Sequence, residues 1–262
     1  MAAVGDSFVE GACVDSSETL VADIRRVVPQ TLGVGLDGAG PLSELGLVKE
    51  YLPRVRPRIV LWFYYEGNDL SDLTSELQVP ELQGYLKPDW VQHLPEHVEA
   101  LDASILKMYE QRRARPRASG ETSLGLAAGL WRWARLNRLR GALALGEVSK
   151  RMKVCCDLRA FAGVLQEARR TVESWGGRLY IVYLPAPGRS LRPLSGMLTD
   201  QLRYRRRVLR LIHDMGLTVV DVYPAFRQHD PSVLFYDVRS HYTAVGYKVA
   251  AEEVVRHLDR PE

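Results

Sequence analysis

Ile59-Val60-Leu61-Trp62-Phe63-Tyr64-Tyr65 and, far along the chain, Leu179-Tyr180-Ile181-Val182-Tyr183-Leu184 are unbroken apolar runs. Neither alternates polar with apolar positions, so neither reads as a strand with one face in water. Runs of this length, rich in β-branched and aromatic residues, suit strands buried on both faces, which belong to parallel sheets covered by helices. Shorter runs extend the pattern outward, giving candidate strands Ala2–Val4, Thr31–Gly35, Arg58–Tyr65, Leu179–Leu184 and Thr218–Val222. Helical stretches separate them near Glu18–Val28, Leu42–Leu52, Leu158–Trp175, Thr199–Met215 and Ala244–Leu258. Gly176-Gly177 and Gly216 stand just past two of these, where helix terminators belong. The alternation predicts an α/β protein with a central parallel sheet of about five strands.

The segment from about Leu73 to Val154 departs from this rhythm. Pro80, Pro88 and Pro95 punctuate its first half, then comes a basic linker, Arg112-Arg113-Ala114-Arg115-Pro116-Arg117, and then Leu124–Leu145. The whole chain reads as one domain, residues 1–262, with a mostly helical insertion or lid at about 73–154. Within the insertion Leu130, Trp131, Trp133, Ala134 and Leu136 lie among Arg132, Arg135, Arg138 and Arg140. A lid packing its apolar side onto the domain is the simpler reading; an amphipathic helix touching a membrane surface is the other.

The bulk properties constrain function only broadly. The 262 residues, 46% of them apolar, suffice for a substantial core. A net charge of +3 does not by itself argue for a nucleic-acid or membrane partner. No run of about 18 apolar residues occurs, so no transmembrane helix is expected. Three cysteines, two of them the neighbours Cys155 and Cys156, make no disulfide framework and suit a reduced-thiol protein. No signal peptide is visible, which reads as cytoplasmic for the chain as it stands. The run before Gly5 is short for a buried strand, however, and a natural chain extending upstream with an address or anchor is also expected.

Ligands of open parallel sheets bind at the carboxyl ends of the strands. Three loops there carry unusual residues: Gly5-Asp6-Ser7-Phe8, Gly35-Leu36-Asp37-Gly38-Ala39-Gly40-Pro41 and Glu66-Gly67-Asn68-Asp69. Just before the last helix lies Asp237-Val238-Arg239-Ser240-His241. A serine in a tight turn before a helix is lifted out of the sheet, and a histidine base can take its proton. An oxyanion formed on an attacked carbonyl needs preorganised donors, which the backbone N–H groups of Ser7 and Gly38 and the Asn68 amide can supply. Glycine at 38 is expected to let the backbone approach substrate closely. Taken singly, each of these stretches is most often a turn or a cap.

In this order, the constellation resembles the SGNH hydrolase superfamily, the GDSL-like lipases and acylhydrolases. Gly5-Asp6-Ser7-Phe8 is similar to its first block, Gly38 to the glycine of its second and Asn68 to the asparagine of its third. His241, followed by Tyr242-Thr243-Ala244-Val245-Gly246-Tyr247, is similar to its last. The resemblance spans residues 1–71 and 178–258. It implies a flavodoxin-like three-layer α/β/α sandwich, Ser7 as nucleophile, His241 as base, and Ser7, Gly38 and Asn68 as oxyanion donors. It implies no cofactor and no metal, and a small-molecule, glycan or lipid acyl ester as substrate. The family places its acid three residues before the histidine, where this chain has Val238; Asp237 lies four before. Asp237 is the candidate third member, and a Ser–His dyad oriented by a backbone carbonyl is the other. Gly67 also directly precedes Asn68, where the family has one residue between them.

The implied reaction is ester hydrolysis through an acyl-enzyme on Ser7. An O-acyltransferase would use the same residues, and a non-catalytic binding protein would retain only the fold. Cys13 is expected to be a small buried core residue. His93 and His97 flank Pro95 without an evident third ligand. Arg203, Arg205, Arg206, Arg207 and Arg210 are expected to form a solvated face above a stripe of Val208, Leu209, Leu211 and Ile212. Glu10, Asp37 and Glu66 lie near the expected cleft without a readable role, and oligomeric state is not legible.

Overall fold

The computed structural model describes residues 1–114, 157–187, 198–236 and 241–258. Asp237, Cys155, Cys156 and the Leu124–Leu145 stretch lie outside the described residues. In chain order the elements are β1 (Ala2–Gly5), α1 (Ser7–Glu10), α2 (Leu20–Val27), β2 (Leu32–Gly35), α3 (Pro41–Val55), β3 (Ile59–Tyr65) and α4 (Asp69–Glu76). There follow α5 (Val98–Ala114), α6 (Leu158–Glu173), β4 (Arg178–Leu184), α7 (Leu198–Asp214), β5 (Thr218–Asp221) and α8 (Ala244–Leu258). One-turn helices Tyr223–Phe226 and Pro231–Leu234 lie between β5 and α8.

The five strands form one parallel sheet in the order β2-β1-β3-β4-β5. Alternate residues of each central strand point to opposite faces, and both faces are covered. Val60, Trp62 and Tyr64 of β3 meet one core with Leu42, Leu45, Val48 and Leu52 of α3, Phe161 and Val164 of α6, and Val208 and Ile212 of α7. Leu61 and Phe63 meet the other, with Phe8 and Val9 of α1, Leu20, Val21 and Ile24 of α2, and Tyr247, Ala250 and Val254 of α8. The result is the expected three-layer α/β/α sandwich, because uninterrupted apolar runs leave no face of the sheet suited to water.

Contacts divide the chain into two compact units, Met1–Gln92 with Cys156–Glu262, and His93–Cys155. Within residues 73–92, Leu73 and Tyr85 are buried in the first unit's core. Lys49 of α3 also donates to the carbonyls of Tyr85, Lys87 and Pro88 at 3.1, 2.6 and 3.0 Å, and to Glu167 at 3.0 Å. In the second unit the described part is mainly α5. Among the described residues no helix is long and apolar enough to cross a membrane.

Val208 and Ile212 of α7 are buried as the sequence pattern predicts. Arg205 departs from it: instead of facing solvent freely, it pairs with Asp221 and lies over the rings of Tyr183 and Tyr223, 5.5 and 5.1 Å from their centroids.

Candidate active site

The strand order places the ends of β2, β1 and β3 side by side, and the chain reverses direction across the sheet between β1 and β3. Loops diverge at such a point and leave a crevice. Ser7 follows β1, Gly38 follows β2 and Asn68 follows β3. Residues distant in sequence are thus neighbours because three parallel strands end together.

Ser7 opens α1, whose N-cap is Asp6; the Asp6 carboxyl accepts the Phe8 N–H at 2.9 Å. The remaining first-turn donor, the N–H of Ser7, has no acceptor among the described residues. Across the site, Ser7 Oγ lies 2.7 Å from His241 Nε2. His241 is held there by an antiparallel bridge between Phe235 and Tyr242 and by Thr243 N–H donating to Leu234 O at 3.0 Å. The Phe8 ring lies 4.9 Å from the imidazole, 4.1 Å from Tyr65 and 4.8 Å from Tyr242, so aromatic packing limits how the histidine turns.

When Nε2 accepts the Ser7 proton, Nδ1 carries the ring hydrogen. Cys13 Sγ, a weak acceptor, stands 3.7 Å from Nδ1. Cys13 is exposed rather than buried, with φ 71°, because the turn after α1 carries it out over the imidazole. Two tyrosines flanking His241 fasten the same turn: Tyr236 OH donates to Cys13 O at 2.9 Å and Tyr247 OH to Ala12 O at 3.1 Å. None of these contacts has a sequence signal, since each joins positions more than two hundred residues apart.

Gly38 has φ +73°, and a Cβ built on it meets nothing within 4 Å of protein. Its glycine is therefore explained by the left-handed turn rather than by crowding against the fold. At Gly35 the reason is the opposite: a Cβ would stand 2.2 Å from the backbone nitrogen of Glu10. Asn68 is the N-cap residue of α4; its Nδ2 donates to Asp72 at 2.7 Å, and its amide also bonds the Asp6 carboxyl.

Beneath these loops lie three buried acids. Burial pushes Asp6 up to about 6, against the Phe8 N–H and the Asn68 amide, which pull it down. Burial, and then the charges of Asp69, Asp6 and Glu76, push Glu44 well above the usual carboxylate range; burial and Asp6 do the same to Asp69. Asp6 Oδ2, both Glu44 oxygens and Asp69 Oδ1 are buried without a hydrogen-bond partner among the described residues. Burial thus favours the protonated form of Glu44 and Asp69, because a charge taken out of water is costly, whereas Asp6, raised only to about 6, still ionises near neutral pH. Glu66, unreadable in sequence, accepts the Tyr183 hydroxyl and the Ala186 N–H, tying the end of β3 to that of β4. Among the described residues no cluster of His, Cys, Asp or Glu is arranged to hold a metal.

No family model and no curated protein matches the sequence. Solved structures do match in three dimensions. A member of the lipolytic protein G-D-S-L family from Veillonella parvula superposes with a TM-score of 0.52 at 12% identity, covering 99% of this chain and 98% of that one. An acetylxylan esterase from Geobacillus stearothermophilus superposes with a TM-score of 0.53 at 11% identity, covering 99% and 94%. The lipase/acylhydrolase from Enterococcus faecalis superposes with a TM-score of 0.51 at 13% identity, covering 98% and 93%. At these identities the likeness concerns architecture, and the fold of this chain is the SGNH/GDSL hydrolase fold.

Proposed function

We propose that this protein is a serine-dependent esterase of the SGNH/GDSL type, acting on an O-acyl ester of a small molecule, glycan or lipid. The observation that carries the reading is the 2.7 Å contact between Ser7 Oγ and His241 Nε2. A serine is a weak nucleophile until a base within hydrogen-bond reach takes its proton, and this pair is at that distance. The N–H groups of Ser7 and Gly38, without acceptors among the described residues, support it further, since an oxyanion hole consists of donors left without internal acceptors.

In this reading Ser7 Oγ attacks the ester carbonyl carbon while His241 Nε2 removes its proton. The carbonyl oxygen becomes an oxyanion, received by the N–H groups of Ser7 and Gly38 and by the Asn68 amide. Collapse expels the alcohol, which takes the proton from His241, and leaves an acyl group on Ser7. Water, deprotonated by His241, then releases the acid and restores Ser7. Asp237 is the proposed orienting acid for Nδ1.

Hydrolysis of p-nitrophenyl acetate by the wild type, Ser7→Ala and Asp237→Ala tests this reading. Ser7→Ala is expected to lose several orders of magnitude in kcat. A strong loss in Asp237→Ala marks a triad, and a small one a Ser7–His241 dyad. A wild type no faster than Ser7→Ala refutes the esterase reading.

A further inference from the structure

The loop that carries Gly38 connects β2 to α3, and its backbone donors can be followed one by one. Leu36 N–H donates to Gly5 O at 3.2 Å, and Ala39 N–H to Leu36 O at 3.0 Å. Asp37 N–H donates to Glu10 Oε2 at 2.6 Å. Gly40, Leu42 and Ser43 donate to the two carboxylate oxygens of Glu76 at 2.9, 2.8 and 3.2 Å. Pro41 has no N–H. From Leu36 to Ser43, the Gly38 N–H is thus the one donor without an acceptor among the described residues.

The two carboxylates come from specific places. Glu10 ends α1, the helix that Ser7 begins, and Glu76 ends α4, the helix that Asn68 caps. Each neighbouring donor-bearing element therefore holds the middle loop, one on either side of Gly38. Glu76 is buried, and Asp72 of the same helix holds the Asn68 amide. No N-cap side chain serves α3, whose cap is Gly40, so Glu76 replaces it from a different helix.

We infer that Glu10 and Glu76 are positioning residues of the oxyanion hole, fixing Gly38 against Ser7 and Asn68 so that the Gly38 N–H meets the developing charge. The inference rests on the esterase reading above. Glu10 acts through the adjacent Asp37 amide, and Glu76 through the first turn of α3. Neither touches substrate. A donor displaced by about 1 Å loses most of its effect on the transition state while ground-state binding hardly changes, so the loss falls on kcat rather than KM.

The experiment is steady-state hydrolysis of p-nitrophenyl acetate by the wild type, Ser7→Ala, Glu10→Ala, Glu10→Gln and Glu76→Gln, each checked for folding by circular dichroism. Glu10 is exposed, so its variants keep the core intact even if Glu76→Gln does not fold. Glu10→Ala is expected to lower kcat about tenfold with KM within about twofold. Glu10→Gln, which keeps an acceptor oxygen for the Asp37 N–H, recovers most of that loss, whereas a lost surface charge alone would affect both variants alike. Folded Glu76→Gln is expected to lower kcat more than Glu10→Ala. Ser7-dependent turnover with an unchanged kcat in Glu10→Ala overturns this inference and leaves the esterase reading standing. Turnover no faster than in Ser7→Ala overturns both.

Discussion

Asp6→Asn separates the electrostatics of the Ser7 loop from its geometry. Asparagine keeps an oxygen for the Phe8 N–H and is as good an N-cap as aspartate, so the turn before Ser7 survives. What changes is the ability to ionise. In the folded protein burial raises the Asp6 carboxyl from an ordinary 3.8 to about 6. Between these values the folded state binds the proton and the unfolded state does not, so stability falls as pH rises. The favourable contribution is complete below 3.8 and is lost as pH passes through about 6. The interval corresponds to about 3 kcal/mol, at about 1.36 kcal/mol per pH unit. The variant has no such loss. The unfolding free energy of Asp6→Asn relative to wild type should therefore rise by about 3 kcal/mol between pH 3.5 and pH 7. Urea denaturation across that range, extrapolated to water, measures it. A difference between variant and wild type that does not change with pH would refute the reasoning, because it would place Asp6 in contact with solvent.

Other consequences are more local. Gly38→Ala forces a side chain into the left-handed region and should cost about 1–2 kcal/mol in chemical denaturation, strain rather than clash being the cause. Tyr247→Phe removes the hydroxyl that holds Ala12 O and should destabilise by about 1 kcal/mol in the same assay. Lys49→Met leaves Glu167 with only the half-exposed Arg170 and takes the Lys49 donor from the Tyr85 and Lys87 carbonyls, so thermal and urea unfolding should show a loss of about 1–3 kcal/mol. An unchanged stability in Lys49→Met would show that this interior is open to water.

Much of this architecture is legible without coordinates, because its causes are local. A strand buried on both faces must be apolar throughout, and Ile59–Tyr65 and Arg178–Leu184 are the paired central strands. Helix ends are marked by their own residues: Thr19 and Asp157 cap α2 and α6, and Gly176 and Gly216 follow α6 and α7. Ser7 and His241, which lie 2.7 Å apart, stand out for a similar reason, since a serine in a glycine turn and a histidine before a helix have their own short signatures. The burial of Tyr85 is not legible in the same way, because the prolines around it mark loops without telling which side chains within them are buried.

The rest depends on which strand ends meet. Periodicity assigns a residue to a face of its own element but is silent about the element opposite. The order β2-β1-β3 brings Glu10, Gly38 and Asn68 to one edge and leaves Glu76 to satisfy the start of α3. Cys13 read as a core residue because a small thiol usually is one; the turn after α1 sets it against an imidazole far away in sequence. Local composition was therefore sufficient for the layers and for singling out Ser7 and His241, whereas their 2.7 Å approach, and the backbone donors around them without acceptors among the described residues, follow from contacts closed only when the sheet assembles.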